Sequence, residues 1–218
     1  MKIYERYTSD ELLELYDRFM SELEGAVSPE RFKLLEEMYS EDELGAALIT
    51  SPASTRPYFH NAYQGGYMDH ILHVDRVALR MAAMYKKLGG TMNFTKKELR
   101  FVAFHHDLGK LGEPDAPFYV INHSKWHIEN RKEYFKINPD LEFVSVTDRT
   151  FFMLQKYGID ITPNEFFGIR LADGIYEESN KEYMIRFEED RHVRRTIADI
   201  IHWADHMATT IEKESDFV

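Results

Sequence analysis

Two glycine pairs, Gly65-Gly66 and Gly89-Gly90, bracket a long amphipathic stretch that runs to about Leu88. Glycine marks helix ends because it takes left-handed backbone without strain. A helix of about 20 residues spans roughly 30 Å and has to bury its apolar stripe against other elements. The rest of the chain offers mostly further helices as those elements. Ser9 opens a helix to about residue 24, with Leu12, Leu13, Tyr16, Phe19, Met20 and Leu23 on one side. Pro29 suits a first helical position and starts a second helix carrying Phe32, Leu34, Leu35 and Met38. Thr95 and Glu98 form a capping-box pattern, and the helix they open is expected to end at Gly109. A helix over 147–157 stops at Gly158, and Thr162, Pro163 and Glu165 open another to about Ala172. A last helix is expected from about Asp190 to Glu212.

The stretch "SPASTRPYFHNAYQGG" at 51–66 reads as loop. The least regular part is 112–145, where "PFYVIN" reads as a short strand and "SKWHIENRKEYFKI" as a helix. The expectation is therefore an all-α fold with any small β-hairpin confined to about 115–145. No repeat, low-complexity tract or linker divides the chain, and 218 residues fit one domain, 1–218.

Composition narrows the chemistry. There are no cysteines, which excludes thiolate ligands and disulfides. No apolar run would span a bilayer, and the N-terminus carries acids where a signal peptide needs an apolar region, so a cytoplasmic protein without a membrane partner is expected. The net charge is −11, and the largest basic cluster, "RHVRR" at 191–195, follows "EED". Tracking a long nucleic-acid backbone calls for a basic stripe, so long nucleic acid is not the expected partner. A few local cations suffice for one phosphate, which leaves small phosphorylated molecules. Self-association is left open.

Imidazoles and carboxylates are placed where an apolar chain has no other use for them. His70 follows the first glycine pair, a His106-Asp107 pair lies in "FVAFHHDLGKLG", and Asp205 sits among Ile200, Ile201, Trp203, Ala204 and Met207. Burying such groups costs several kcal/mol unless they are paired or liganded. Neutral imidazole with carboxylate is the usual oxygen-and-nitrogen shell of a divalent metal, and one shared ion would compensate all four residues. Any single "HD" pair is more often a turn cap; the set of four is what gives the pattern weight.

The pattern H…HD…D, here His70, His106, Asp107 and Asp205, resembles that of the HD-domain phosphohydrolase superfamily. "SPASTRPYFHNAYQGGYMDHILHV" and "AFHHDLGKLG" are similar to the corresponding segments of one microbial and phage branch, and the likeness covers roughly residues 50–212. It implies an HD-type helical core over 50–212 with helices of 1–49 packed on it. It further implies one divalent metal ion (Mn, Fe, Co, Ni, Zn or Mg) held by those four residues, and hydrolysis of a phosphoester or phosphoanhydride by metal-bound water. A nucleotide is the leading substrate class. The alternatives are a 3′–5′ exonuclease and a regulatory module that binds metal without turnover. Two-metal members carry additional histidines, but this chain has Val146-Thr147-Asp148 and Leu171-Ala172-Asp173 at those places. A single ion is therefore expected, with Asp148 or Asp173 at best a weak second-site ligand.

Around that ion, Asp107, Lys110, Arg56 and His60 are the expected catalytic groups. Lys110 lies one turn beyond Asp107, and Arg56 and His60 lie in the preceding loop; all three could face phosphate. Lys110 and Arg56 could equally be a helix-terminal lysine and a plain loop arginine. His73, at i+3 from His70, shares its face or packs. His105 is read as structural. Asp148 and Arg149 are candidates for an ion pair. His123 and His127 are candidates for a pair on one helix face, against a surface helix with Trp126 beneath. Tyr58, Tyr63, Tyr67, Tyr119 and Trp126 are candidates to stack on a base.

Overall fold

A capping box starts the first helix, α1 (Ser9–Glu24), but Thr8 rather than Ser9 is the cap, with Glu11 closing the box. The computed structural model describes residues 4–185 and 193–216. Ser28 caps α2 (Pro29–Met38). A π-helical turn at Glu41–Gly45 and α3 (Ala46–Thr50) follow, neither of them anticipated from the sequence. After the loop comes α4 (Gly66–Lys87), opened by Gly65 at φ +83°. Gly66 is required for a different reason: a Cβ there would lie 2.1 Å from the Asn61 carbonyl oxygen.

The predicted capping box, Thr95 with Glu98, starts α5 (Lys96–His105). That helix does not reach Gly109, as the sequence suggested. A 3-10 turn at Leu108–Leu111 replaces its last turn. The cause is tertiary. The Gly109 amide donates to Thr150 Oγ1 at 2.9 Å, and the Gly109 backbone presses so close to Val146 that a Cβ would sit 2.1 Å from its carbonyl oxygen.

Two small antiparallel hairpins follow. β1 (Gly112–Glu113) pairs with β2 (Ala116–Pro117), and β3 (Tyr119–Ile121) pairs with β4 (Phe135–Ile137), Tyr119 opposite Ile137. β1 begins three residues before the expected limit at 115. The helix expected through "SKWHIENRKEYFKI" is only α6 (Lys125–Arg131). It ends at Lys132 in left-handed backbone, φ +52°, and the remainder becomes β4, because β3 supplies a partner no local pattern reveals. Ser145 caps α7 (Val146–Lys156), and Gly158 stops that stretch at φ +66°. Thr162 and Glu165 box the start of α8 (Pro163–Arg170), which ends two residues short of Ala172. The short α9 (Lys181–Met184) precedes α10 (Arg195–Asp216). The start expected at Asp190, and the first two residues of the basic cluster at 191–195, lie outside the described residues.

The fold is thus all-α with small hairpins. α10 packs along α4 more extensively than any other pair of elements, and α5 lies against both. Phe19, Leu23, Leu35 and Met38 from the first helices share one hydrophobic core with Tyr67, Ile71, Phe101, Phe104, Ile201 and Ala204. No helix among the described residues is long and apolar enough to cross a membrane.

Candidate metal centre

The first turns of α4 bury His70 to 1% exposure, facing α10. Its Nε2 lies 3.1 Å from Asp205 Oδ1 and 3.9 Å from Asp107 Oδ2. The C-terminal end of α5 supplies His106, whose Nε2 is 3.7 Å from Asp107 Oδ2. Ligand atoms of His70, His106 and Asp205 all lie within 4.8 Å of one another. The four residues singled out in the sequence therefore meet, although they come from three helices and the turn after one of them.

Each imidazole has one nitrogen occupied. His106 Nδ1 is 2.9 Å from the Ala103 carbonyl oxygen and, as the donor to it, leaves Nε2 as the lone-pair nitrogen. His70 Nδ1 is 3.0 Å from Glu212 Oε2. Both Nε2 atoms are buried and without a hydrogen bond; the Asp205 oxygen beside His70 lies outside hydrogen-bonding geometry. A buried polar atom left so costs about 1–3 kcal/mol. Two imidazole Nε2 atoms and two carboxylates around one point fit a divalent cation, which would satisfy every one of them.

The charges tell the same story. Burial pushes His70 down, but Glu212 and then Asp205 more than reverse this and lift it to about 10, so without a metal the ring holds a proton that a bound cation would displace from Nε2. Burial raises the Asp107 and Asp205 carboxyls, yet Lys110 and His106 hold Asp107, and His70 holds Asp205, below the usual carboxylate range. The two carboxylates are thus held charged beside the imidazoles.

Lys110, on the 3-10 turn, places Nζ 2.6 Å from Asp107 Oδ2. Burial lowers its ammonium, but Asp107 outweighs that and holds it above the ordinary lysine value. His60 also arrives: its ring centroid is 4.7 Å from that of His70, and neither ring nitrogen has a hydrogen bond. Burial, then His70, pushes it down to about 3, so it is neutral. Ligand atoms of His60, His70 and Glu212 form a second group within 4.8 Å. Arg56 is engaged elsewhere, with its guanidinium 3.0 Å from Glu133 and 5.5 Å over the Phe59 ring.

Among the outer candidates, His73 Nδ1 is 2.8 Å from Glu212 Oε1. His105 stacks against Phe101 and Tyr39 with Nδ1 on the Phe101 carbonyl, a core role. Asp69 accepts from Tyr7 and Tyr63. Arg149 does not pair with Asp148; it reaches Glu113 and the Glu142 carbonyl, because Asp148 is exposed at the start of α7 while Arg149 is buried. His123 precedes α6 and so shares no helix face with His127, which binds Ser124 Oγ, and Trp126 is 55% exposed rather than tucked beneath. Asp173 sits on the exposed rim, yet desolvation and then Asp107 raise its carboxyl. Tyr63 and Tyr67 are core residues, while Tyr58 is 70% exposed.

Glu212 is the residue the sequence reading passed over as a mere helix end. It is 7% exposed and touches both His70 and His73. The available signal was its spacing: seven residues after Asp205 is two helical turns, on the same face. No family model, curated protein or solved structure matches this chain.

Proposed function

We propose that this chain is a divalent-metal-dependent phosphohydrolase of the HD type, acting on a small phosphorylated molecule, with a nucleotide as the leading substrate class. One observation carries the reading: two buried imidazole Nε2 atoms without partners converge with Asp205, beside Asp107. His70, His106, Asp107 and Asp205 would hold the ion. When bound, a divalent ion lowers the pKa of a coordinated water and polarises a phosphoryl oxygen.

The chain's own groups supply the rest. His106 is fixed by Ala103 and needs no reorganisation to ligate. Lys110 carries the cation nearest the carboxylates and takes the phosphate side, where charge on non-bridging oxygens needs positioned donors. His60, neutral and beside His70, offers ring nitrogens to the phosphate or the attacking water. Arg56 is left out of this role because Glu133 holds it. A net charge of −11 supports a small substrate over a long backbone.

The test is a screen of nucleotides, generic phosphoesters and a short RNA with Mn, Fe, Co, Ni, Zn and Mg, reading out phosphate, pyrophosphate, triphosphate and released nucleotide. Metal-dependent release from small phosphoesters supports the reading. Processive shortening of the RNA alone moves it to a 3′–5′ exonuclease. Tight metal binding without any turnover moves it to a regulatory module, and absence of metal binding removes the site.

A further inference from the structure

We infer that Glu212 is a positioning residue that fixes His70 as a metal ligand, and that α10 therefore supplies both a ligand and the brace for a ligand on α4. The inference rests on the metal-site reading above. The His70 ring lies between two carboxylates of one helix. Asp205 lies 3.1 Å from Nε2, and Glu212 lies 3.0 Å from Nδ1, two turns further along. A metal-ligating histidine characteristically donates its other ring N–H to a carboxylate, which selects the tautomer, orients the ring and makes the ligating nitrogen more basic.

Glu212 meets the requirements of that role. It is buried, and its neighbours His70 and His73 occupy one oxygen each, at 3.0 and 2.8 Å. Oε2 and Oε1 each face a ring nitrogen of α4, the arrangement of a brace acting through His70, although a Glu212 oxygen also lies within 4.8 Å of ligand atoms of His60 and His70. His73 stands one helical turn from His70 on α4, so a single carboxylate ties two positions of α4 to α10.

The experiment uses full-length parent, Glu212→Gln, Glu212→Ala and Asp205→Ala proteins. Mn(II) and Co(II) affinities are measured by chelator competition, the Co(II) absorption spectrum by titration, and melting temperature on the metal-free forms. Loss of such an outer carboxylate costs about 10–100-fold in metal affinity. Glu212→Ala is expected to weaken binding within that range. Glu212→Gln, which keeps one acceptor for the His70 N–H, is expected to recover part of the loss. The Co(II) spectrum at saturation should match the parent in both, because the ligand set is intact. Parent-like affinity in both variants overturns the inference. A changed Co(II) spectrum in Glu212→Gln also overturns it, by making Glu212 a ligand. Should Glu212→Ala fail to fold, Glu212→Gln alone decides by the same two readouts. A lower metal-free melting temperature with unchanged affinity marks a merely structural carboxylate and overturns it too. If the parent binds no metal, or Asp205→Ala binds as well as the parent, the metal-site reading fails instead.

Discussion

Asp107 stands where two roles meet: it faces both histidine Nε2 atoms, at 3.9 and 3.7 Å, and Lys110 at 2.6 Å. Removing it takes away one carboxylate of the proposed ligand set and leaves Lys110 without its partner. Asp107→Ala is expected to lose bound metal and, with it, hydrolysis. Lys110→Ala keeps the ligand set and should bind metal with the parent's stoichiometry, while turnover falls on the order of 100-fold or more, by analogy with a lost oxyanion donor. Metal content and rate measured on both purified variants separate the roles. Parent-like turnover in Lys110→Ala would reduce that side chain to a counter-ion of Asp107 and leave His60 as the phosphate-side group.

Two contacts between elements separate the stability of the fold from assembly of the centre. The 3-10 turn carrying Lys110 docks on α7 through Gly109, with no room for a methyl group against the Val146 carbonyl. Because the obstacle is backbone, Gly109→Ala is expected to cost about 1–3 kcal/mol by overpacking and to displace Asp107 and Lys110. Thermal unfolding and metal affinity should both fall, and a variant that melts lower with parent-like affinity would show that the turn moves without the site. The second contact is the buried Arg100, whose guanidinium meets Asp75 of α4 at 2.9–3.1 Å and Glu22 of α1 at 2.8 Å. Asp75→Ala removes three of these four contacts and leaves the buried cation only Glu22, so it is expected to cost up to about 3–5 kcal/mol in denaturant unfolding, the range for breaking one side of a buried pair. Asp75 lies on α4 away from the four ligands, so metal affinity of the folded fraction should stay at the parent's value.

At the scale of the whole molecule, the proposed centre links three helices that the core also holds together. An ion that binds the folded chain alone stabilises it by about 2.7 kcal/mol at a concentration 100 times its dissociation constant. For a chain of this size that corresponds to a rise of about 5–10 °C in melting temperature. Parent protein is expected to show that rise with its preferred divalent ion and to lose it on chelation. Asp205→Ala should show almost none, and an equal rise in that variant would place the stabilising ion elsewhere.

The sequence by itself determined what local chemistry dictates. Capping boxes at Thr95–Glu98 and Thr162–Glu165, the glycine before α4 and Gly158 after α7 fix helix ends through backbone conformation and short-range hydrogen bonds, so they read directly. Polar residues at His70, His106, Asp107 and Asp205 in apolar surroundings were legible because burial makes them costly without a common partner. Tertiary structure alone decided the rest. The early end of α5 follows from Gly109 pressing on Val146, and the strand at Phe135–Ile137 from its pairing with β3. Arg56 turning to Glu133, Arg149 to Glu113 and Glu212 to His70 are partnerships across 77, 36 and 142 residues. Spacing along a chain says little about such partners until helix packing brings their faces together, and that is why the four converging residues could be singled out from sequence while the carboxylate behind His70 was not.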